Sequence, residues 1–157
     1  MITVDCRLLD QLTEKARTSP RLRMNHNFHP ANESVCHRLL NAIEPGSYIR
    51  PHCHLDPEKD ESFVLLRGQL GVICFDAKGE VIETALLIAG SDQAVITIPH
   101  GIFHTAVSLA PGTVFFETKA GPYIPLTEAE IASWAPVDTD PASTACLQQL
   151  CALFNSH

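Results

Sequence analysis

The run Gly46-Ser-Tyr-Ile-Arg-Pro-His52-Cys-His54-Leu-Asp-Pro-Glu-Lys-Asp-Glu61-Ser-Phe-Val-Leu-Leu-Arg-Gly68 decides how the rest of the chain is read. Extended backbone sends side chains at i, i+2 and i+4 to one face. A strand over Ser47–His54 therefore groups Arg50, His52 and His54 and sends Pro51 and Cys53 the other way. Two imidazoles so placed can offer nitrogens to one ion, and neutral imidazole suits Zn, Fe, Ni, Cu and Mn to differing degrees. An isolated His-x-His is just as readily an exposed strand pair. Glu61 changes the balance, because a carboxylate opening a run that is otherwise apolar through Leu66 is expensive to bury alone, and a cation beside it removes that expense.

Outward from this run, Ile98-Pro-His100-Gly-Ile-Phe-His104 places a turn just before a histidine that starts another short strand, which makes His104 a candidate fourth ligand. Further β-like runs cover Val35–Ala42, Ser62–Leu66, Leu70–Phe75, Val81–Ile88, Ala94–Ile98, Thr105–Ser108 and Val114–Thr118, most of them separated by Gly or Pro. Asp76–Gly79 and Ala110–Gly112 fit hairpin connections. Many short strands with close turns predict an all-β dominated antiparallel sandwich or barrel.

Helical signals flank this region. Leu8, Leu9, Leu12 and Ala16 recur at helical spacing between Asp5 and Arg17, with Thr3 or Asp5 available as N-cap. Near the C-terminus Thr127–Glu130 fits a capping box, and Asp140-Pro141 fits an N-cap followed by proline at the first helical position. The expected organisation is one domain, with an N-terminal helix over 1–22, strands over 23–124 and a helical segment over 125–157.

Composition narrows the function classes. A length of 157 residues, 45% hydrophobic and 18% charged, supports a single core and excludes a long disordered tract. The net charge of -7 and the scattering of eleven Lys and Arg argue against nucleic acid and anionic membrane as partners. The start has no basic region followed by an apolar run, so a cytoplasmic protein is expected. Cys6, Cys36, Cys53, Cys74, Cys146 and Cys151 contain no C-x-x-C pair, and reduced thiols are expected, with Cys36, Cys53 and Cys74 as small strand residues.

These motifs resemble those of the cupin superfamily. Gly46, His52, His54, Glu61 and Gly68 match its first motif, and Pro99, Gly101 and His104 match its second. The spacer between His54 and Glu61 is six residues, longer than usual, which leaves Glu58 as an alternative to Glu61. Ser108 stands where the second motif often has Asn. More narrowly, Asn25–His29, His37–Gly46, Arg50-Pro-His52, Asp56–Glu61, Glu117–Tyr123 and Trp134–Pro136 are similar to the WbuC-type cupin metalloproteins of bacterial surface-polysaccharide gene clusters. The resemblance implies a double-stranded β-helix (jelly-roll) barrel and one divalent metal ion, Zn, Fe, Mn or Ni, on His52, His54, Glu61 and His104. It also makes His29 a candidate pocket residue, while His26, His37, His100 and His157 carry no comparable signal.

Charged residues near the ligands suggest the chemistry. Arg50 shares the inferred inward face, and Lys119 alternates with Glu117 on one strand. They read either as structural ion pairs or as a site in which Arg50 and Lys119 bind an anionic small-molecule substrate while Glu117 or Tyr123 handles a proton. The leading functional expectation is isomerisation or epimerisation of a sugar-derived or other oxygenated anion. An iron-dependent dioxygenase and a non-catalytic binding or sensing module are the alternatives. A homodimer paired through edge strands is expected.

Overall fold

The computed structural model describes residues 1–155. His157 and the end of the expected 125–157 segment lie outside the described residues. In chain order the elements are α1 (Cys6–Thr18), β1 (Arg23–Asn27), β2 (Cys36–Ile43), β3 (Glu61–Arg67), β4 (Gln69–Phe75), β5 (Val81–Ile88), β6 (Val95–Ile98), β7 (Phe103–Ser108), β8 (Thr113–Ala120) and α2 (Ala142–Ala152). The strands form two antiparallel sheets, one ordered β1-β2-β8-β3-β6 and the other β5-β4-β7. Strand pairing thus defines two facing layers.

Period-two alternation assigns the faces. Leu40 and Ala42 of β2 and Val114 of β8 turn outward and pack under Leu9, Leu12 and Ala16 of α1, whose N-cap Asp5 accepts a hydrogen bond from the Leu8 amide at 2.8 Å. Burying a leucine as completely as Leu40 contributes about 1.5–3 kcal/mol. On the far side Ile73, Phe75 and Val107 turn outward against Leu147, Leu150 and Phe154 of the C-terminal region. Between the sheets lie Ile43, Phe63, Leu65 and Phe115 from the larger one and Leu70, Val72, Leu87 and Ala106 from the smaller.

The register sets the polar end of this interior. Leu65 pairs with Phe115, Phe63 with Glu117 and Glu61 with Lys119, so successive inward rows pass from apolar to charged. From β2, Asn41 lies opposite Phe115 and Leu39 opposite Glu117. The opposing wall supplies His104, which pairs with Cys74 across β4 and β7.

Three expectations need correction. Residues 47–54 are not a strand. They run extended between β7 and the 130–132 turn, held by His52 N to His104 O (3.1 Å), His104 N to His52 O (2.8 Å) and Cys53 N to Glu130 O (2.9 Å). Pro51 has no N–H to sustain a ladder, and Cys53 is buried outside any strand. Only the Glu130 half of the capping box at Thr127 forms, with Glu130 Oε2 accepting from the Thr127 amide (2.9 Å) and hydroxyl (2.8 Å), while the Glu130 amide donates to the Thr127 carbonyl (3.0 Å); this closes a turn and starts no helix there. Instead Glu130 Oε1 takes the Leu55 amide at 3.0 Å and anchors the histidine segment. β1 was not anticipated, because its composition Arg-Met-Asn-His-Asn is polar and mostly exposed. All six cysteines are free.

Gly68, the last residue of the first motif, has φ +82°, and a Cβ there would stand 2.8 Å from the Thr113 Cα. Gly68→Ala is expected to lose about 1–3 kcal/mol of stability, read as a lower urea midpoint with an unchanged m-value.

Candidate metal centre and cavity

Glu61 enters the interior as the first residue of β3 and is 3% exposed. His54 Nε2 lies 2.9 Å from its Oε1 and His104 Nε2 3.0 Å from its Oε2, while Lys119 Nζ is ion-paired to Oε1. His52, His54 and Glu61 each bring one ligand atom into a group spanning no more than 4.8 Å. The His52 and His104 rings stand beside each other with centroids 4.8 Å apart. Glu58, the alternative carboxylate, is exposed in the spacer loop and takes no part.

The donor set fits a divalent ion. Nδ1 of His52 faces the Arg50 carbonyl at 3.1 Å, and Nδ1 of His104 faces the Ile102 carbonyl at 2.9 Å. With an ion bound, protons on those nitrogens would turn both Nε2 lone pairs toward it, the usual outer-shell device of metal sites; without one, the His104 Nε2 proton is donated to Glu61 Oε2. Two ligand atoms about 2.1 Å from one ion and about 90° apart are roughly 3 Å from each other, close to the separations seen from Glu61 to His54 and His104. Burial, reinforced by neighbouring His104, pushes His52 down to about 4, so its imidazole is neutral at pH 7.

A second carboxylate shares the same ammonium. Glu117 Oε1 lies 2.7 Å from Lys119 Nζ, and Asn41 Nδ2 donates to its Oε2 at 2.6 Å. Burial opposes ionisation of both acids. At Glu61 the His104 and His54 hydrogen bonds and the Lys119 charge prevail, holding it well below the ordinary carboxylate range. At Glu117 burial prevails over Lys119, with repulsion from Glu61 added, and its pKa is raised. One cation cannot fully offset two buried anions. Lys119, flanked by both, is raised despite its own burial.

A cavity of about 300 Å³ opens onto this cluster, with His52, Glu61, His104 and Glu117 at its base and Arg21, Arg23 and Asn25 at its mouth. Its middle is apolar, walled by residues such as Phe63 and Phe115. Arg23 donates to the Tyr48 carbonyl at 2.6 Å and pairs with Asp138 at 3.1 Å, whereas exposed Arg21 has no ion-pair partner among the described residues. Behind His52 and His54, a second cavity of about 200 Å³ is lined by Lys59, His37 and Tyr123.

The sequence-predicted residues divide accordingly. His52, His54, Glu61, His104, Glu117 and Lys119 come together. Arg50 does not, since Ile49 takes the inward place and Arg50 Nη2 donates to the Ala132 carbonyl at 2.7 Å. With no ladder over 47–54, the alternation that placed Arg50 inward slips by one position. His29 is buried but stacks on His37 with centroids 4.0 Å apart and lines neither cavity. Tyr123 sits 59% exposed at the rim of the second cavity. Asn41, Arg21 and Lys59 were missed. Alternation along β2 from Leu40 could have signalled Asn41, but nothing local marks the other two.

A family model described as "Domain of unknown function (DUF6016)" matches residues 4–87. The chain belongs to the DUF6016 family. No curated protein matches it. Among solved structures, KdgF from Halomonas sp. superposes with a TM-score of 0.52 at 18% identity, covering 68% of this chain and 85% of the other. The conserved SPY1581 protein of Streptococcus pyogenes gives a TM-score of 0.54 at 14% identity, covering 78% and 90%. A cupin superfamily protein of Desulfitobacterium hafniense gives 0.49 at 10% identity, covering 62% and 76%. At these identities the likeness concerns the fold alone.

Two measurements check the centre. Elemental analysis of purified protein should find about one divalent ion per chain, lost in His54→Ala and Glu61→Gln. In the metal-free protein His52 is protonated more readily unfolded than folded, so the unfolded state binds the extra proton between about 6.5 and about 4. Stability should therefore fall as pH drops through that window, by at most roughly 3 kcal/mol. His52→Gln should flatten the dependence of the urea midpoint.

Proposed function

We propose that this protein is a metal-dependent cupin enzyme that isomerises or epimerises a small oxygenated anion, a sugar-derived acid or phosphate being the leading class. The observation that carries the reading is the pairing of Glu117, a buried carboxyl of raised pKa, with a candidate metal centre at the base of one cavity. A carboxyl poised above its ordinary range suits proton abstraction and return near neutral pH. His52, His54, Glu61 and His104 would hold the ion, which when bound polarises a substrate oxygen. Lys119 keeps Glu61 ionised and orients Glu117, Asn41 fixes the other Glu117 oxygen, and Arg21 gives the mouth a positive charge for an anion. The apolar middle keeps water from Glu117.

The WbuC-type resemblance supports a role in bacterial surface-polysaccharide metabolism within the cytoplasm. A closed barrel and a single domain over 1–157 belong to the same proposal. So does a homodimer, supported by edge strands β1 and β5, whose free backbone groups favour pairing. Tyr123 is assigned a contact at the second cavity's rim.

Metal-loaded protein should incorporate solvent deuterium into a sugar acid, sugar phosphate or nucleotide sugar, and Glu117→Gln should slow exchange by about 10²–10⁴-fold while retaining the ion. Absence of exchange across such a panel defeats the reading. Oxygen uptake by Fe(II)-loaded protein without exchange would transfer the assignment to a dioxygenase.

A further inference from the structure

Lys59 is 8% exposed, yet among the described residues its ammonium has a single hydrogen-bond partner, the Pro122 carbonyl at 3.2 Å, and no carboxylate within 4.0 Å. An ammonium carries three donors, and burying its charge against one neutral acceptor is unfavourable unless another group completes the shell. The acids flanking it in sequence do not supply that group. Asp56 Oδ1 accepts from the Glu58 amide at 3.0 Å, Asp60 Oδ1 accepts from the His100 amide at 2.8 Å and lies 2.8 Å from its Nδ1, and Glu58 is exposed.

Lys59 instead lines the second cavity, about 200 Å³, together with Lys119, His37 and His54. Its rim is Tyr123, whose hydroxyl has no hydrogen-bond partner among the described residues, beside Ile124, 60% exposed. No carboxylate lines this cavity, so in a chain of net charge -7 its charged lining is two lysines. Lys119 is already shared by Glu61 and Glu117, so Lys59 is the cation without a counter-charge.

We propose that this second cavity is an anion subsite in which Lys59, assisted by the Tyr123 hydroxyl, binds a carboxylate- or phosphate-sized group behind His52 and His54. It is distinct from the larger cavity at whose base Glu117 lies. Gly121 keeps the wall in place: a Cβ there would collide with the Ser34 carbonyl and the His37 ring, so the chain passes close enough for Pro122 to meet Lys59.

Calorimetric titration of metal-free protein with inorganic phosphate, and separately with malonate, tests the subsite and separates the two sources. One of them should bind. Lys59→Met, which keeps the stem and removes the charge, should weaken that binding by about tenfold or more while leaving Tm unchanged or higher, as expected when an under-paired buried charge is removed. Ala120→Phe, which fills the cavity and leaves Lys59 in place, should weaken it likewise and decides the matter if Lys59→Met does not fold. No binding of either anion to the wild type, or binding that survives both substitutions, overturns the proposal. Metal and turnover are absent from the titration, so its failure is separable from failure of the enzymic reading.

Discussion

A carboxylate in the interior constrains everything around it. Glu61 is almost fully excluded from solvent, and its two oxygens are met by two imidazoles and an ammonium from three other parts of the chain. Leaving such a group unpaired would be strongly unfavourable. The β3–β8 register, the β7 turn and the anchoring of residues 52–54 must therefore all be correct at once. Strand pairing, rather than any local motif, brings these partners to it.

The same arrangement separates two acids of the same type. Glu61 gains hydrogen bonds from both histidines and stays ionised, while Glu117, one row deeper and sharing a single lysine, is driven toward the neutral form. Environment alone divides their roles, since each carboxyl is ordinary in isolation. Lys119, a plausible substrate ligand in sequence, becomes the mediator between them.

Much of the fold was legible because its short apolar runs are set apart by Gly and Pro. Val81–Ile88 was placed at its observed ends, and Asp5 caps the first helix as its residue type suggests. Legibility failed where the backbone departs from a ladder. Pro51 and the bridges to His104 and Ile131 replace a strand, and Arg50 turns away to Ala132. It failed again at β1, whose polar residues pair with β2 through backbone groups that no side-chain pattern reports.

By itself the sequence determined the β-rich class and the residue types able to ligate an ion, because motif spacing and hydrophobic alternation are local properties. Only the tertiary structure decided that Glu61 and not Glu58 lies among the histidines, that Glu117 shares Lys119 with it, and that Lys59 faces a cavity without a counter-ion. Those outcomes depend on cross-strand register and on which charges are buried together, and burial is a property of the assembled interior that no stretch of chain possesses alone.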